Sequence, residues 1–534
     1  MTESAAITTS RERSNPPNAV FRQELTPVTF LERSGEAHAE RIAVVDGRIS
    51  YTYKAWRERA RQLASALQRV GLTPGDRVAF LALNSEPLLL AHFAVPMAGG
   101  VLVAINTRLS ATEIDYILRH SGASILFVSR ELRGSLPRID GLPIVELGGE
   151  LDSLIETGEP VPPAPIVDEY STLSVNYTSG TTGRPKGVRY HHRGAHLNAL
   201  AMALDHGLGP ASSYLWTLPM FHCNGWCFPW ALTAVGAKSI CLPSVDPDRV
   251  WDLCAGGDVT HLCGAPTVLR MLAECPKAHL LRQEVRIVTA GAPPSGPLLT
   301  KMAAWNFRVD HVYGLTETYG PFTLNIEPPE AGSLSIESRA RLRSRQGYPN
   351  VTSGEVRIVD ANGQDVARDA QTLGEVVMRG NAVMSGYLDD EAATTEAFRD
   401  GWFHSGDLAV VHPDGQLELR DRIKDIIISG GENVSTIEVE QTIAAHDAVS
   451  ECAVVGRPDP RWGEVPVAFV TLSHDSQISS EHIIAHCRER LAHFKCPRDV
   501  YFSPLPKSPT GKVLKTELRT RLAQPPTDQQ PSRS

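Results

Sequence analysis

The sequence predicts an α/β protein with a large N-terminal domain of mostly parallel sheets covered by helices, and a small α+β domain at its C-terminal end. The chain has 534 residues, more than one hydrophobic core usually spans. Apolar runs such as RVAFLAL, SILFV, VRIVTAG and DHVYG alternate with helix-like segments such as TYKAWRERARQLASALQRVG, which is typical of parallel sheets covered by helices. From Gly354 onwards, Asn-Gly and Asp-Gly turns in GEVRIVDANGQDV and LAVVHPDGQLELR indicate antiparallel hairpins instead.

The predicted domain boundaries follow these changes in pattern. Residues 1–20 and 523–534 are polar and rich in Pro and Ser, and we expect both to be disordered tails. Residues 21–422 form the predicted N-terminal domain, with a small barrel-like antiparallel subdomain at about 350–422. Residues 425–522 form the C-terminal domain. Because no low-complexity linker separates the two domains, the junction predicts a short hinge.

One segment of the N-terminal domain is apolar enough to be compared with a membrane span. It runs from Leu88 to Ile105 without a formal charge, but His92, Pro96 and Gly99 interrupt it. These residues favour a buried helix that ends near Pro96 and leads into the strand VLVAI. We therefore expect no transmembrane segment.

The C-terminal domain shows a mixed order of elements. A helix is predicted to begin at STIEVEQTI, where Ser435 and Glu438 have the spacing of a capping box. The strands ECAVVG and VPVAFVTL, the helix SEHIIAHCRERLAHF and a loop containing PKSPTGKVLK follow. This succession predicts a compact α+β unit.

Composition and charge indicate a globular protein that does not bind nucleic acid. The apolar share is 42% and the charged share 21%, as in ordinary globular proteins. A net charge of -9 and a pI near 6.1 argue against a nucleic-acid partner. The N-terminus lacks the apolar core of a signal peptide, so the sequence predicts a cytoplasmic protein.

The nine cysteines are scattered and odd in number. Only Cys223 and Cys227 lie close together, beside His222, and such a group could bind a metal. The paired CxxC spacing of common metal sites is missing, however, and no second cluster follows. Reduced, partly buried thiols are the favoured interpretation.

The segment YTSGTTGRPKGV follows the strand LSVNY and predicts a phosphate-binding loop. Glycines let the backbone approach an anion, and Thr and Ser hydroxyls add donors. The residues assigned to the loop are Thr178, Ser179, Gly180, Thr181, Thr182, Gly183 and Lys186. No hydroxyl residue follows the lysine, so this is not the P-loop of ordinary NTPases. A polar surface turn is the alternative.

Five segments in chain order resemble the signature motifs of the adenylate-forming superfamily, which includes acyl-CoA synthetases, luciferases and peptide-synthetase adenylation domains. They are YTSGTTGRPKGV, YGLTET, GWFHSGDLA, RDRIKDIIISGGENV and PTGKVLK. The resemblance covers the chain from about Phe21 to about Leu522. It implies that a carboxylate attacks the α-phosphate of ATP and that pyrophosphate leaves.

The resemblance implies nucleotide-binding roles for the first two motifs. The loop from Thr178 to Lys186 would hold the β- and γ-phosphates, and Thr178 is also assigned to catalysis. Tyr313 would stack on adenine, Thr316 would contact the α-phosphate, and Glu317 would bind Mg²⁺ and serve catalysis. A core aromatic residue is the alternative for Tyr313, and a solvated loop acid is the alternative for Glu317.

The remaining motifs imply ribose, catalytic and hinge residues. Asp407 would accept both ribose hydroxyls, and Arg422 would reach the ribose from the domain junction, with a surface salt bridge as its alternative. Lys512 matches the catalytic lysine of the mobile domain, whereas its neighbours Lys507 and Lys515 are expected to be solvated.

Lys424 occupies the hinge position. The resemblance implies that rotation there withdraws Lys512 and brings Gly431, with Gly430, to the tunnel for the pantetheine arm of coenzyme A. A turn glycine is the alternative for Gly430.

The acyl pocket is expected to be lined by LPMFHCNGWCFPW and TAGAPPSG. His222, which is also assigned to catalysis, stands where relatives that activate amino acids carry an acid. Trp226 and Trp230 either shorten the tunnel or belong to the core. Three further residues, Gly291, Ala292 and Gly314, are assigned to the border between the nucleotide site and the acyl pocket, with Ala292 on the nucleotide side.

The resemblance thus predicts an AMP-forming carboxylate–CoA ligase that uses ATP, Mg²⁺ and CoA and acts on a short- or medium-chain fatty acid or a related small acid. No long insertion of the kind that blocks domain rotation in acyl-AMP ligases is evident. The alternatives are an acyl-AMP ligase that loads a carrier protein, an aryl-acid CoA ligase similar to benzoate enzymes, a luciferase-type oxidase and a nucleotide-binding module without catalysis. The oligomeric state stays open, a homodimer included.

Overall fold

The computed structural model describes residues 23–178, 184–291, 294, 296–430, 432–473, 476–507 and 513–523. The predicted tail 1–20 lies outside this part of the chain, as does nearly all of the predicted tail 523–534.

The described residues form helices and strands that alternate through the first two thirds of the chain. The helices are α1 (Val28–Ala37), α2 (Tyr53–Arg69), α3 (Glu86–Met97), α4 (Ala111–Ser121), α5 (Gly149–Glu156), α6 (His192–Asp205), α7 (Cys223–Trp226), α8 (Phe228–Val235), α9 (Pro247–Ala255), α10 (Pro266–Glu274), α11 (Gly296–Ala304), α12 (Ile336–Arg343), α13 (Glu391–Ala397), α14 (Thr436–Ala444), α15 (Ser480–Arg488) and α16 (Lys515–Ala523).

The strands before residue 350 are β1 (Ile42–Asp46), β2 (Ile49–Thr52), β3 (Arg77–Leu81), β4 (Val101–Ala104), β5 (Ala123–Val128), β6 (Ile144–Glu146), β7 (Thr172–Thr178), β8 (Lys186–His191), β9 (Ser213–Leu215), β10 (Lys238–Cys241), β11 (His261–Cys263), β12 (Val285–Thr289), β13 (Phe307–Leu315), β14 (Gly320–Leu324) and β15 (Tyr348–Pro349). Those after it are β16 (Glu355–Val359), β17 (Gly374–Arg379), β18 (Phe398–Arg399), β19 (Trp402–Val411), β20 (Leu417–Arg422), β21 (Ile427–Ser429), β22 (Glu432–Val434), β23 (Val449–Asp459), β24 (Gly463–Leu472) and β25 (Asp499–Phe502).

Two parallel-rich sheets form the centre of the large domain. One has the order β15-β14-β13-β12-β11-β9-β10-β1-β2, and the other has the order β6-β5-β3-β4-β7-β8. Strands β9 to β13 pair in parallel, as do β3 to β7, whereas β2, β8, β14 and β15 add antiparallel pairs at the edges. Helices bury their apolar faces against both sheets, which agrees with the predicted alternation.

Helix α3 confirms the interpretation of the most apolar segment. It runs to Met97, with Pro96 in its last turn, and β4 follows at Val101. Its side chains from Leu88 to Met97 are all buried. No helix in the described part of the chain is long and apolar enough to cross a membrane.

The strands after Gly354 form two further sheets. Strands β16, β17, β19, β18 and β20 pair antiparallel throughout, as the Asn-Gly and Asp-Gly turns predict. The last sheet has the order β22-β21-β24-β23, with β25 added in parallel beside β24, and α14 and α15 pack on it. The predicted fold class is confirmed, while the domain boundaries stay predictions.

Two details of the C-terminal domain differ from the expected pattern. The hydroxyl of Ser435 accepts a hydrogen bond from the backbone of Glu438 as predicted, but the Glu438 carboxylate binds Lys495 at 2.8 Å. Helix α15 ends at Arg488, short of the predicted Phe494. The backbone at Ala492 is extended, and a short 3-10 turn follows.

Candidate active site

Three sheets converge on one region. Strands β7 and β8 bring the ends of the predicted phosphate loop, the turn after β13 brings Thr316 and Glu317, and β19 and β20 bring Asp407 and Arg422. The backbone carbonyl of Thr316 accepts a hydrogen bond from the hydroxyl of Tyr190 on β8, 2.6 Å away. This hydrogen bond links the turn that carries Thr316 to strand β8.

The two ends of the phosphate loop are held by strand pairing. Thr178 lies directly opposite Lys186 in the antiparallel ladder of β7 and β8. The remaining predicted loop residues, Ser179, Gly180, Thr181, Thr182 and Gly183, lie outside the described residues. Strand pairing therefore fixes the distance between Thr178 and Lys186, where the loop begins and ends.

Glu317 lies on a 3-10 turn, Thr316–Thr318, that leaves β13. The hydroxyl of Thr318 accepts a hydrogen bond from the backbone of Leu315 at 2.8 Å, so the turn is capped. The Glu317 carboxylate is partly buried, and one of its oxygens, Oε1, accepts a hydrogen bond from the hydroxyl of Tyr387 at 2.8 Å. Burial raises the pKa of Glu317, and this hydrogen bond opposes the shift.

Tyr387 is a site residue that the sequence analysis missed. Its ring centroid lies 4.8 Å from Nζ of Lys186, within reach of a cation–π interaction. It therefore touches both the lysine of the phosphate loop and Glu317. Nothing in the local sequence MSGYL distinguishes this tyrosine from the other eleven of the chain's twelve.

Tyr313, Asp407 and Arg422 form a connected group. The hydroxyl of Tyr313 donates to Oδ2 of Asp407 at 2.8 Å, and Nε of Arg422 lies 3.2 Å from Oδ1. The Asp407 side chain is 8% exposed, whereas that of Arg422 is 36% exposed. The structure thus places three sequence-predicted residues from β13, β19 and β20 side by side.

Two glycines assigned to the pocket border differ in their surroundings. A Cβ on Gly314 would lie 1.8 Å from the backbone oxygen of Gly320, so glycine is required there by the close approach of β13 and β14. Gly291 has a φ of +96°, and a Cβ there would meet no atom within 4 Å. Gly291 therefore borders open space, and Ala292 lies outside the described residues.

The segment expected to line the acyl pocket contains a left-handed turn. Cys223, Asn224, Gly225, Trp226 and Cys227 all have positive φ angles between 49° and 63°. Such a run is rare, since L-residues disfavour this region. Helix α7 is therefore a left-handed turn rather than an ordinary helix.

The turn places the predicted acyl-pocket residues near the Thr316 turn. Sγ of Cys223 lies 3.5 Å from the Thr316 hydroxyl and 4.0 Å from the ring nitrogens of His222. Burial opposes ionisation of this thiol, but the neighbouring His222 lowers its pKa. Cys223 and Cys227 are both free thiols.

The two tryptophans occupy different places. Trp226 packs against the backbone of Gly320, where an added Cβ would lie 2.8 Å from the indole ring. Trp230 is fully buried and donates from Nε1 to the carbonyl of His92 at 3.1 Å. Trp230 is therefore a core residue, while Trp226 lies beside the strand that follows Glu317.

Two of the predicted hinge and tunnel residues, Lys424 and Gly430, lie near the start of the last sheet. Lys424 is in the turn between β20 and β21, where burial lowers its pKa. Gly430 has a φ of +63° at the end of β21, and an added Cβ would lie 2.9 Å from the ring of Trp462. This turn geometry explains a glycine at 430, while its place at the tunnel stays a prediction. Gly431 and Lys512 lie outside the described residues.

The expectation that Lys515 is solvated is wrong. Its Nζ lies 2.8 Å from the Glu440 carboxylate and hydrogen-bonds to Thr436. Burial opposes its charge, but Glu440 and Asp421 raise its pKa. Lys507, with its side chain 34% exposed, is also paired, with Glu451 at 2.7 Å. Each lysine pairs with a carboxylate that lies far away in the sequence. The local sequence pattern therefore could not predict either ion pair.

Two family models match this chain. The model of the AMP-binding enzymes covers residues 31–388, and that of the AMP-binding enzyme C-terminal domain covers residues 438–512. The chain belongs to the AMP-binding enzyme family.

Named relatives narrow the class. The chain is 42% identical to an acetate/butyrate–CoA ligase of Arabidopsis thaliana, named as peroxisomal, over 93% of this chain and 94% of the relative. It is 44% identical to a 4-hydroxybutyrate–CoA ligase of Metallosphaera sedula, over 94% and 95%. The chain is therefore an AMP-forming acid–CoA ligase of the adenylate-forming superfamily, with ATP and CoA as substrates.

A solved structure has the same fold over nearly the whole chain. It is o-succinylbenzoate CoA synthetase from Bacillus subtilis in complex with an acyl-adenylate intermediate. The TM-score is 0.79 at 28% identity, covering 92% of this chain and 97% of the other.

Proposed function

We propose that this ligase activates a short-chain carboxylic acid, with each reacting group held by the residues described above. The observation that carries the proposal is the convergence of three groups of side chains. Thr178 and Lys186 flank the phosphate loop, Glu317 lies on the neighbouring turn, and the Tyr313–Asp407–Arg422 group lies on the third sheet. A nucleotide with its phosphates at the loop would then place its ribose at Asp407.

In the first step, an oxygen of the acid attacks the α-phosphorus of ATP. A bond forms between that oxygen and phosphorus, the bond to the β-phosphate oxygen breaks, and pyrophosphate carries away the electron pair. Catalysis of such a transfer consists mainly of positioning and of stabilising the extra negative charge. Lys186 would hold the leaving phosphates, Thr316 would contact the α-phosphate, and Lys512 would stabilise the charge that develops there.

Glu317 fits the role of a Mg²⁺ ligand. No group of three or more His, Cys, Asp or Glu in the described part of the chain could hold a metal alone. Mg²⁺ is usually bound through one or two carboxylates plus substrate phosphates, and a single carboxylate beside a phosphate loop meets that requirement. When bound, the ion would neutralise part of the phosphate charge. Glu317 uses Oε1 for Tyr387, so Oε2 is the oxygen we assign to the ion.

In the second step, the CoA sulfur attacks the acyl carbonyl carbon and AMP leaves. The thioester bond forms as the acyl–phosphate bond breaks, and the thiol proton passes to solvent. We propose that rotation at Lys424 withdraws Lys512 and presents Gly431 to the pantetheine arm, because a residue without Cβ leaves room for it. The proposed division into domains 21–422 and 425–522 follows from this hinge.

The left-handed turn supports a small acyl pocket. It brings Cys223 to within 3.5 Å of the Thr316 hydroxyl and holds the bulky Trp226 against Gly320. We infer that the indole of Trp226 at this position would shorten the space open to a long acyl chain. The names of the two ligases above, for acetate/butyrate and for 4-hydroxybutyrate, support the same size class.

The proposal is tested with the purified full-length protein and a panel of acids that contains acetate, butyrate, 4-hydroxybutyrate, octanoate and benzoate. AMP release and thioester formation are measured with CoA, without CoA, and with a phosphopantetheinylated carrier protein. We expect thioester formation with CoA for the acids of two to four carbons. Preference for benzoate would indicate an aryl-acid ligase, and acylation of the carrier protein alone would indicate an acyl-AMP ligase.

The cytoplasmic location and the homodimer also stay proposals. The cysteines in the described part of the chain are free thiols, which is consistent with a reducing compartment. Subcellular fractionation and analytical ultracentrifugation would test the two statements.

A further inference from the structure

Tyr387 lies between two groups that act on the phosphates in the proposed function. We propose that Tyr387 is a positioning residue that couples the lysine of the phosphate loop to the metal-binding carboxylate. Its hydroxyl orients Glu317, and its ring holds the ammonium group of Lys186. The inference rests on the proposed function, since it assigns Tyr387 to the same phosphate site.

The backbone around Tyr387 is attached to both partners. The N–H of Leu388 donates to the carbonyl of Gly187 at 2.7 Å, directly after Lys186. The N–H of Met384 donates to the carbonyl of Glu317 at 2.8 Å. Residues 384–388 therefore connect strand β8 with the turn that carries Glu317, and Tyr387 is the side chain of that segment which reaches both.

The hydroxyl contact gives Glu317 a defined orientation. A glutamate side chain loses considerable rotamer freedom when it is ordered, and a metal ligand that is already ordered avoids this loss at the moment of binding. The hydrogen bond from Tyr387 occupies Oε1 at 2.8 Å. The second oxygen is thereby held in one place.

The ring contact acts on Lys186. A lysine stem is long and flexible, and the ammonium group lies 4.8 Å from the centroid of the Tyr387 ring. An aromatic face attracts a cation at this distance without neutralising its charge, as a carboxylate would. The ring thus positions the ammonium group and leaves it available to a phosphate.

Two substitutions separate the two contacts. Tyr387→Phe removes the hydroxyl and keeps the ring, while Tyr387→Leu removes both. Tyr348→Phe is the matched control, because its hydroxyl donates to the carbonyl of Asp414 at 2.9 Å in an exposed position. Melting curves of all variants establish that each is folded.

Binding of a non-hydrolysable ATP analogue is measured by calorimetry with and without Mg²⁺. For Tyr387→Phe we expect unchanged metal-free affinity and a loss of about tenfold in the gain that Mg²⁺ produces, as for a hydrogen bond to a charged group. For Tyr387→Leu we expect the metal-free affinity to fall as well, by about threefold to tenfold. Excess Mg²⁺ should restore the adenylation rate of the first variant but not of the second.

The outcomes that overturn the inference are distinct. If Tyr387→Phe responds to Mg²⁺ like the wild type, the hydroxyl does not position Glu317. If both variants lose metal-free and metal-dependent affinity to the same extent, Tyr387 has only a structural role. Failure of the wild-type protein to form any acyl-AMP would instead refute the proposed function. A failure of the proposed function can therefore be told apart from a failure of the inference about Tyr387.

Discussion

At the proposed ribose end of the site, each oxygen of the Asp407 carboxylate has a protein partner. Tyr313 donates to one oxygen and Arg422 lies beside the other. A carboxylate can accept about four hydrogen bonds, so lone pairs remain for two ribose hydroxyls. The group on β13, β19 and β20 therefore holds an acceptor in a fixed orientation.

This arrangement predicts the effect of Asp407→Asn. The amide nitrogen cannot accept a hydrogen bond, and the attraction to Arg422 is lost. Because a hydrogen bond to a charged group contributes about 1.5–3 kcal/mol, the KM for ATP should rise by roughly 10- to 100-fold. Steady-state kinetics of AMP formation measures this change.

The control is Asp414→Asn in the turn between β19 and β20, where the carboxylate pairs with Arg345 at 2.9 Å near the surface. We expect that variant to keep the wild-type KM. An equal rise in both variants would mean that the substitutions act through the sheet and not through the ribose site.

Some contacts of single residues in the site were predictable from the sequence and others were not. Motif resemblance named Tyr313, Glu317, Asp407 and Arg422, and the structure brings them close together. The contact between Tyr387 and Glu317 was not predicted, because it depends on pairing between the segment after Val383 and strand β8. Burial of Lys515 was missed because its partners Glu440 and Thr436 lie on α14, more than seventy residues earlier in the chain.

At the scale of elements, the left-handed turn of residues 223–227 is the least expected feature. Asn224 at its centre is fully buried, and its Oδ1 accepts from the Ser174 hydroxyl and from the Asn176 amide, each at 2.7 Å. Its own N–H donates to Oδ1 of Asn176 at 3.2 Å. Strand β7, which leads into the predicted phosphate loop, therefore holds the left-handed turn that directly follows His222.

We expect Asn224→Ala to destabilise the protein by about 2–4 kcal/mol. Alanine is less tolerant of the left-handed region than asparagine, and the Ser174 and Asn176 side chains would lose buried partners. The midpoint of urea unfolding, followed by tryptophan fluorescence, measures the change. The KM for the acid should rise too, because the turn contains Cys223 and directly follows His222, both proposed to line the acyl pocket.

Asn306→Ala provides the comparison. Asn306 is also left-handed, with a φ of 70°, but its side chain makes one long hydrogen bond of 3.4 Å. Asn306→Ala should lower the free energy of unfolding by about 1 kcal/mol, mostly because alanine disfavours the left-handed backbone. If the two variants were equally destabilised, the polar network around Asn224 would contribute nothing.

The elements themselves were largely predictable from the sequence. The alternation of apolar runs and helix-like segments predicts strands such as β3, β5 and β12, and the Asp-Gly turn predicts the β19–β20 hairpin. The order of strands within the sheets was not predictable, because pairs such as β1 with β10 join distant segments. The left-handed turn was missed since its residues, apart from Gly225 and Asn224, have no preference for that conformation.

At the scale of the whole molecule, the proposed rotation at Lys424 makes a prediction about Lys512→Ala. Without the cation at the α-phosphate, adenylation should fall by roughly 100- to 1,000-fold. Thioester formation from supplied acyl-AMP should stay close to the wild-type rate, because the proposed rotation would withdraw Lys512 in that step. Pyrophosphate exchange and single-turnover thioester formation measure the two half-reactions.

A surface lysine serves as the control for that variant. Lys277→Ala removes an ion pair with Asp252 at 2.9 Å and should leave both half-reactions unchanged. An equal loss of both half-reactions in Lys512→Ala would contradict the rotation.

An ion pair crosses between the two proposed domains. Arg270 on α10 lies 2.7 Å from the Glu451 carboxylate on β23, which also binds Lys507, five residues before Lys512. The Arg270 and Glu451 side chains are only 26% and 16% exposed, so water screens the pair less than a surface pair. Rotation of the C-terminal domain would have to separate Arg270 from Glu451, while the contact with Lys507 would move with the domain.

Arg270→Gln should therefore shift the balance between the two orientations by a few-fold, as expected for about 1 kcal/mol. One half-reaction should become faster and the other slower, because the pair stabilises only one orientation. Lys507→Gln keeps the contact between domains and should change the balance less. Adding Glu451→Gln to Arg270→Gln should have little further effect, since the pair is already broken. If Arg270→Gln changed both half-reactions in the same direction, the pair would stabilise the fold and not one orientation of the domain.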